Sequence, residues 1–167
     1  RADSLDLIAR WGNASISSEQ KTSFLLKKNE HYLTLIKGLS EEDILPGVVS
    51  FLDLLYEHNC LMGVGSSSKN APVILERIGL KHRFGVVVDG NQVSKTKPDP
   101  EVFLKGSKEL GVAPADCLVV EDAPSGVTAA KSAGMKVLGI GSSENLVNAD
   151  KTVNTLEGIS WEDILSI

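Results

Sequence analysis

Apolar positions recur along this chain with two different periods, and the change of period divides it. From Arg1 to about Leu39 they return every three to four residues. Leu5, Ile8 and Trp11 share one helical face, and after Gly12-Asn13 a second helix starts near Ser18, where a Ser-Ser-Glu-Gln run has capping-box spacing. On that helix Phe24, Leu25, Tyr32, Leu35 and Ile36 form an apolar stripe with Lys28 on its margin. Gly38 and the acidic link Ser40-Glu41-Glu42-Asp43 close this helical unit. Leu45-Pro46-Gly47 then turns the chain into a helix over 48–58.

From Leu61 the pattern becomes one of short apolar runs, at 61–65, 85–88, 117–120 and 137–140, with a weaker one at Thr152-Val153. Helical stretches at about 70–78, 100–110, 125–133 and 143–147 separate them. Runs without in-out alternation suit strands covered on both faces, and helical connections of this length suit right-handed crossovers. The expectation is an α/β fold: a Rossmann-like, mostly parallel sheet flanked by helices over 43–167, with a small helical cap over 1–42. There is no internal repeat and no low-complexity segment.

Composition narrows the partners. With 167 residues and 42% hydrophobic content the chain can bury one sizeable core. A net charge of -5 and a pI near 5.2 argue against a polyanion-binding surface, so nucleic acid is not an expected partner. No apolar run is long enough to span a bilayer, and the start carries no signal-peptide pattern. A cytosolic monomer with no membrane contact is expected. Cys60 and Cys117 sit beside or within apolar runs, where a reduced, buried thiol is the ordinary case.

The chemistry concentrates where apolar runs end. Val119-Val120 stops at Glu121-Asp122, and Ala123-Pro124-Ser125-Gly126 then opens a helix. Paired carboxylates at the end of a buried strand form an oxygen site for a hard cation such as Mg²⁺; a bare pair, taken alone, is more often two solvated acids. The run ending at Gly65 continues as Ser66-Ser67-Ser68-Lys69-Asn70, whose hydroxyl and N–H groups could hold a phosphoryl group or simply cap a helix. After Asp89, the segment Ser94-Lys95-Thr96-Lys97-Pro98-Asp99-Pro100 puts Lys97 just ahead of a proline-fixed helix start. Gly139 to Ser143 offers glycine and hydroxyls without charge and shapes the rim. Hydroxyl, lysine and paired carboxylates at successive strand ends divide the work of phosphoryl transfer.

These residues resemble the second, third and fourth motifs of the haloacid dehalogenase superfamily: a strand followed by Ser66, Lys97 before Pro98, and Glu121-Asp122 before Ser125-Gly126. Within it the chain is similar to the β-phosphoglucomutase-like subfamily along its whole length. The resemblance implies a helical cap, Mg²⁺ and an aspartyl-phosphate intermediate. It assigns Ser66 to the transferring phosphoryl group, Lys97 to the bridge between that group and a nucleophilic carboxylate, and Glu121 with Asp122 to the metal. It also matches Arg1, Lys28, Ser68, Lys69 and Asn70 to groups that bind the sugar phosphate, the first and the last three gripping the phosphate that is not transferred. A bidentate arginine would fix that end in orientation as well as charge.

One family feature is absent. The superfamily opens with an apolar strand ending in Asp-x-Asp, and no such pattern occurs here; Asp3 and Asp6 follow no strand and lie in a helical stretch. The favoured expectation is that the chain is a fragment whose nucleophile lies upstream of Arg1. A segment supplied elsewhere and an inactive descendant are the alternatives. The expected activity of the parent protein is conversion of β-glucose 1-phosphate to glucose 6-phosphate. A sugar-phosphate phosphatase and a non-catalytic module binding a phosphorylated metabolite or a partner are the competing readings, and the chain alone is expected to be inactive.

Overall fold

The protein is described by a computed structural model for residues 2–167, so Arg1 lies outside the described residues. Contacts divide the chain into two compact units, Arg1–Leu39 and Ser40–Ile167; the sequence had placed the boundary after residue 42.

The first unit is two helices, α1 (Ala2–Trp11) and α2 (Ser18–Lys37). Ser17 caps α2: its hydroxyl accepts from the Gln20 N–H at 3.2 Å while the Gln20 side chain accepts from the Ser17 N–H at 2.9 Å. Asp6 on α1 pairs with Lys21 on α2 at 2.6 Å. Of the expected stripe, Ile36 is buried and Leu25 and Tyr32 half-buried, whereas Phe24 and Leu35 are exposed, as are Ile8 and Trp11 on α1. A two-helix contact is narrower than the apolar arcs these helices carry.

The second unit alternates helices and strands. Its elements are α3 (Val48–Glu57), β1 (Gly63–Gly65), α4 (Ala71–Arg77), β2 (Val86–Val88), α5 (Glu101–Leu110), β3 (Leu118–Glu121), α6 (Pro124–Ser132), β4 (Lys136–Ile140), β5 (Lys151–Val153) and α7 (Trp161–Leu165). Every ladder is parallel, as βαβ connections dictate. Among the described residues the strands form two sheets, β1-β2 and β3-β4-β5, with no ladder between β1 and β3. α5 packs on both β1 and β2 and also touches α6, which covers β3 and β4.

The core lies between α6 and the β3-β4 pair, where Val119, Val127, Ala130, Ala133, Met135, Val137 and Leu146 cluster. The opposite face is covered unevenly. Val120 on β3 lies in register with Leu138 on β4, yet Leu138 is 1% exposed and Val120 37%. That face is therefore closed over β4 and open over β3, the strand at the break.

Three expectations need correction. The stretch 143–147 is not a helix: the N–H groups of Asn145 and Leu146 both donate to the Ser142 carbonyl at 3.1 Å, and the chain turns there. Leu146 is drawn into the core against Gly139, and the Ala149 N–H then closes on the Leu146 carbonyl at 2.9 Å, which stops a helix. Conversely, α7 forms where the sequence reading assigned nothing, started by a capping box between Ser160 and Asp163. Cys60 and Cys117 are free thiols, as expected, but half-buried rather than buried. Burial still pushes both thiols above their ordinary pKa, and the Asp116 charge adds to the rise at Cys117.

Candidate active site

Alternation along β3 puts Val119 and Glu121 on the same covered face, so the carboxylate closing the strand is buried, at 9% exposure. It lies under the first turn of α6, where a Cβ on Gly126 would fall 1.8 Å from its Oε1. Only glycine leaves the carboxylate room. Lys97 Nζ donates to Glu121 Oε1, while Oε2 accepts from the Asp122 N–H at 2.9 Å and the Ala123 N–H at 3.2 Å. Burial pushes the Glu121 carboxyl up, but the hydrogen bond and charge of Lys97, helped by the two N–H groups, outweigh it. The group is held below the ordinary carboxylate value and is ionised at neutral pH.

Lys97 reaches this carboxylate from the loop before α5, across a cis Lys97-Pro98 peptide, with its side chain 15% exposed. Two residues of α5 lie beside it or its loop. Glu101 gathers the loop: its carboxylate accepts from the Ser94 N–H at 2.9 Å, the Ser94 hydroxyl at 2.8 Å and the Lys95 N–H at 2.7 Å. The Ser94 bonds first, then the Lys95 N–H and charge, hold the Glu101 carboxyl below its ordinary value. Phe103, one turn into the helix, places its ring under the ammonium, 4.6 Å from Nζ to the ring centroid.

The hydroxyl loop after β1 extends the parallel ladder by one bond, from the Ser66 N–H to the Val88 carbonyl at 2.9 Å. The serines do not cap α4. Ser66 Oγ accepts from the Ser68 N–H at 3.1 Å, and Ser68 Oγ accepts from the Asn70 N–H at 3.2 Å, two successive turns that shape the loop. The end of β2 braces it. Asn91 Nδ2 donates to the Lys69 carbonyl at 3.3 Å, and the Gly90 N–H to the Ser68 carbonyl at 3.3 Å. A Cβ on Gly90 would lie 2.4 Å from the Ser67 carbonyl oxygen. Asp89, buried, holds this brace by accepting from the Asn91 N–H at 2.6 Å.

The structure therefore pairs Lys97 with Glu121 and sets Asp122 beside them. Gly65, the residue before Ser66, lies against the Phe103 ring, which a Cβ there would meet at 3.0 Å. Lys28 is an exposed side chain of the first unit, and Arg1 is not described. Sequence reasoning missed Glu101, Phe103 and the room that Gly126 makes for Glu121. An acid in the first helical turn after Pro98-Asp99-Pro100 was the available signal for Glu101; the other two depend on contacts between distant segments.

The donor set can be weighed against Mg²⁺. Among the described residues no group of three or more acidic, histidine or cysteine side chains comes together as a cation cage. Mg²⁺ does not require one, since it is commonly held by one or two carboxylates together with water and substrate phosphate. Asp122 is exposed and its carboxylate meets no donor among the described residues, so it fits that pattern directly. Glu121 fits it only by sharing its Oε1 with Lys97.

Parallel strands, one of them ending on a carboxylate ion-paired with a loop lysine, together with a hydroxyl-rich loop after β1, describe an enzyme core of the α/β class. The sequence model of the family described as "haloacid dehalogenase-like hydrolase" matches residues 6–140, and the chain belongs to that family. It is similar to the β-phosphoglucomutase of Bacillus subtilis (strain 168), with 38% identity over 164 residues covering 97% of this chain and 73% of that protein. It is also similar to a phosphorylated carbohydrates phosphatase of Thermotoga maritima, 34% identical over 125 residues, 73% of this chain and 58% of that protein. Among solved structures, β-phosphoglucomutase from Clostridium difficile superposes with a TM-score of 0.88 at 37% identity, over 99% of this chain and 75% of that one. The chain thus belongs among enzymes whose relatives include both a phosphomutase and a phosphatase.

Proposed function

We propose that this core serves Mg²⁺-dependent phosphoryl transfer on a phosphorylated sugar through an aspartyl-phosphate intermediate, interconverting β-glucose 1-phosphate and glucose 6-phosphate. The observation that carries the reading is the buried ion pair of Lys97 with Glu121 at the end of β3, next to the unclaimed carboxylate of Asp122. The likeness to β-phosphoglucomutases over nearly the whole chain supports the choice of substrate.

In this reading the attacking aspartate is carried on a strand laid between β1 and β3, where the two sheets fail to meet. Lys97 gives one N–H to Glu121 and keeps two for the phosphoryl oxygens and the attacking carboxylate. Ser66 donates its hydroxyl hydrogen to the phosphoryl group while still accepting from the Ser68 N–H. Asp122, with Glu121, holds the metal, which when bound neutralises phosphate charge. Ser68, Lys69 and Asn70 bind the phosphate that is not transferred.

The test is to give the full-length protein β-glucose 1-phosphate with Mg²⁺ and follow glucose 6-phosphate and inorganic phosphate together. Glucose 6-phosphate without net phosphate release supports the mutase. Phosphate release without isomerised sugar supports the phosphatase reading suggested by the Thermotoga maritima relative. Neither product leaves a binding module.

A further inference from the structure

We propose that Phe103 is a positioning residue for Lys97: its ring face holds the ammonium where phosphoryl transfer needs it, without consuming any of its N–H groups. This rests on the phosphoryl-transfer reading above. The ring is itself fixed on three sides. Its backbone N–H donates to the Pro100 carbonyl at 3.0 Å in the first turn of α5, and its body packs against the core cluster of Val119 and Val127. At the end of β1, Gly65 leaves the space that the ring fills, a Cβ there falling 3.0 Å from Cδ1 and 3.1 Å from Cε1. Lys97 Nζ stands over this ring, 4.6 Å from its centroid.

The physical case is one of geometry and donor count. A lysine has a four-carbon stem, and a single hydrogen bond to Glu121 leaves the ammonium free to swing about that bond. A second hydrogen-bond partner would stop the swing but would take a donor away from the phosphoryl oxygens. The quadrupole of an aromatic face attracts the cation and takes none. With its side chain 15% exposed, Lys97 is partly withdrawn from water, which strengthens that attraction. The same ring touches β1 through Gly65, so it also sets the spacing between the ammonium and the Ser66 loop.

Graded fluorination of Phe103 tests this, because it drains the quadrupole while leaving the shape against Gly65 nearly intact. Full-length protein carrying phenylalanine, or mono-, di- and trifluorophenylalanine, at this position is assayed for phosphoryl transfer. The expected result is a stepwise fall in kcat reaching about 2- to 30-fold, with KM changed less than about 2-fold, since Lys97 acts on the transferring group. Phe103→Leu should fall to the bottom of the series and Phe103→Tyr stay near the top. A kcat that is flat across the fluorinated series overturns the proposal, whatever Phe103→Leu does, and leaves the ring a packing group. Lys97→Ala separates the two layers of the reasoning: if it retains full activity, the assignment of Lys97 fails. If it is inactive while fluorination changes nothing, only the role of Phe103 fails.

Discussion

Replacing Gly126 by alanine sets two effects of opposite sign against each other. Helix propensity favours the change by up to about 1 kcal/mol, less in a first turn such as this one. Against it stands the Glu121 carboxylate, whose Oε1, Cδ and Cγ would lie 1.8, 2.1 and 2.6 Å from the new Cβ. A flexible exposed side chain would swing away, but this one is buried and held by Lys97 and by the N–H groups of Asp122 and Ala123. Overpacking costs about 1–3 kcal/mol, and hydrogen bonds to a charged group contribute roughly 1.5–3 kcal/mol. Either exceeds the propensity gain, so a net loss of about 2–4 kcal/mol is expected. Urea unfolding should show a lower midpoint with an unchanged slope, and phosphoryl transfer should fall as the carboxylate leaves Lys97. The double change supplies the control: in a Glu121→Ala background, Gly126→Ala should be neutral or stabilising, because only the propensity gain remains. A single alanine variant as stable as the parent would mean that the carboxylate is not confined under α6.

Other outcomes are equally specific. Asp122→Asn should shift the Mg²⁺ titration of activity to higher concentration, by about tenfold or more for a lost carboxylate ligand; an unchanged titration removes Asp122 from the metal site. Glu101→Gln replaces one accepting oxygen by a donor facing the Ser94 and Lys95 N–H groups, so kcat should drop while Glu101→Asp retains more of it, measured on the same sugar phosphate. Acid should weaken the tether of α7. Asp163 is held near a pKa of 2 by Lys151 and by Ser160, below its unfolded value of 3.8. A carboxyl depressed on folding contributes its stability fully above the unfolded pKa, and that contribution is lost as pH falls from about 4 toward 2. Urea midpoints from pH 6 to pH 3 should fall less steeply for Asp163→Asn than for the parent; parallel curves would exclude this linkage.

The strand ends were legible because an apolar run that stops at a polar group says both where a strand ends and which side chain closes it. Glu121-Asp122 could be read that way, whereas Lys97 sits in the loop nine residues past β2 and was marked by the proline-fixed helix start after it; Glu121 turned out to be buried by the same alternation that buries Val119. What could not be read was anything set by contact between distant segments. Gly126 was read only as a motif residue at a helix start, and its steric meaning appears only when Glu121 lies beneath it. Phe103 looked like one apolar position among several on an amphipathic helix. The misassigned helix at 143–147 has a serine start, but tertiary packing of Leu146 overrides that local signal. The short α7 was missed although Ser160 and Asp163 stand at capping-box spacing, because five residues are too few to show a period.

The hydroxyl of Ser66 and the acids of Glu121-Asp122 hang from ladders that share no hydrogen bond, so the sheet cannot act as the gauge of their separation. α5 takes that part: it rests on β1 and β2, leans on α6, and its first turn carries Glu101, which binds the Lys97 loop, and Phe103, whose ring lies under Lys97. A perturbation that frees this one helix would let the two halves of the proposed site drift apart while each ladder stayed intact, and phosphoryl transfer would be expected to vanish before either sheet lost its amide protection.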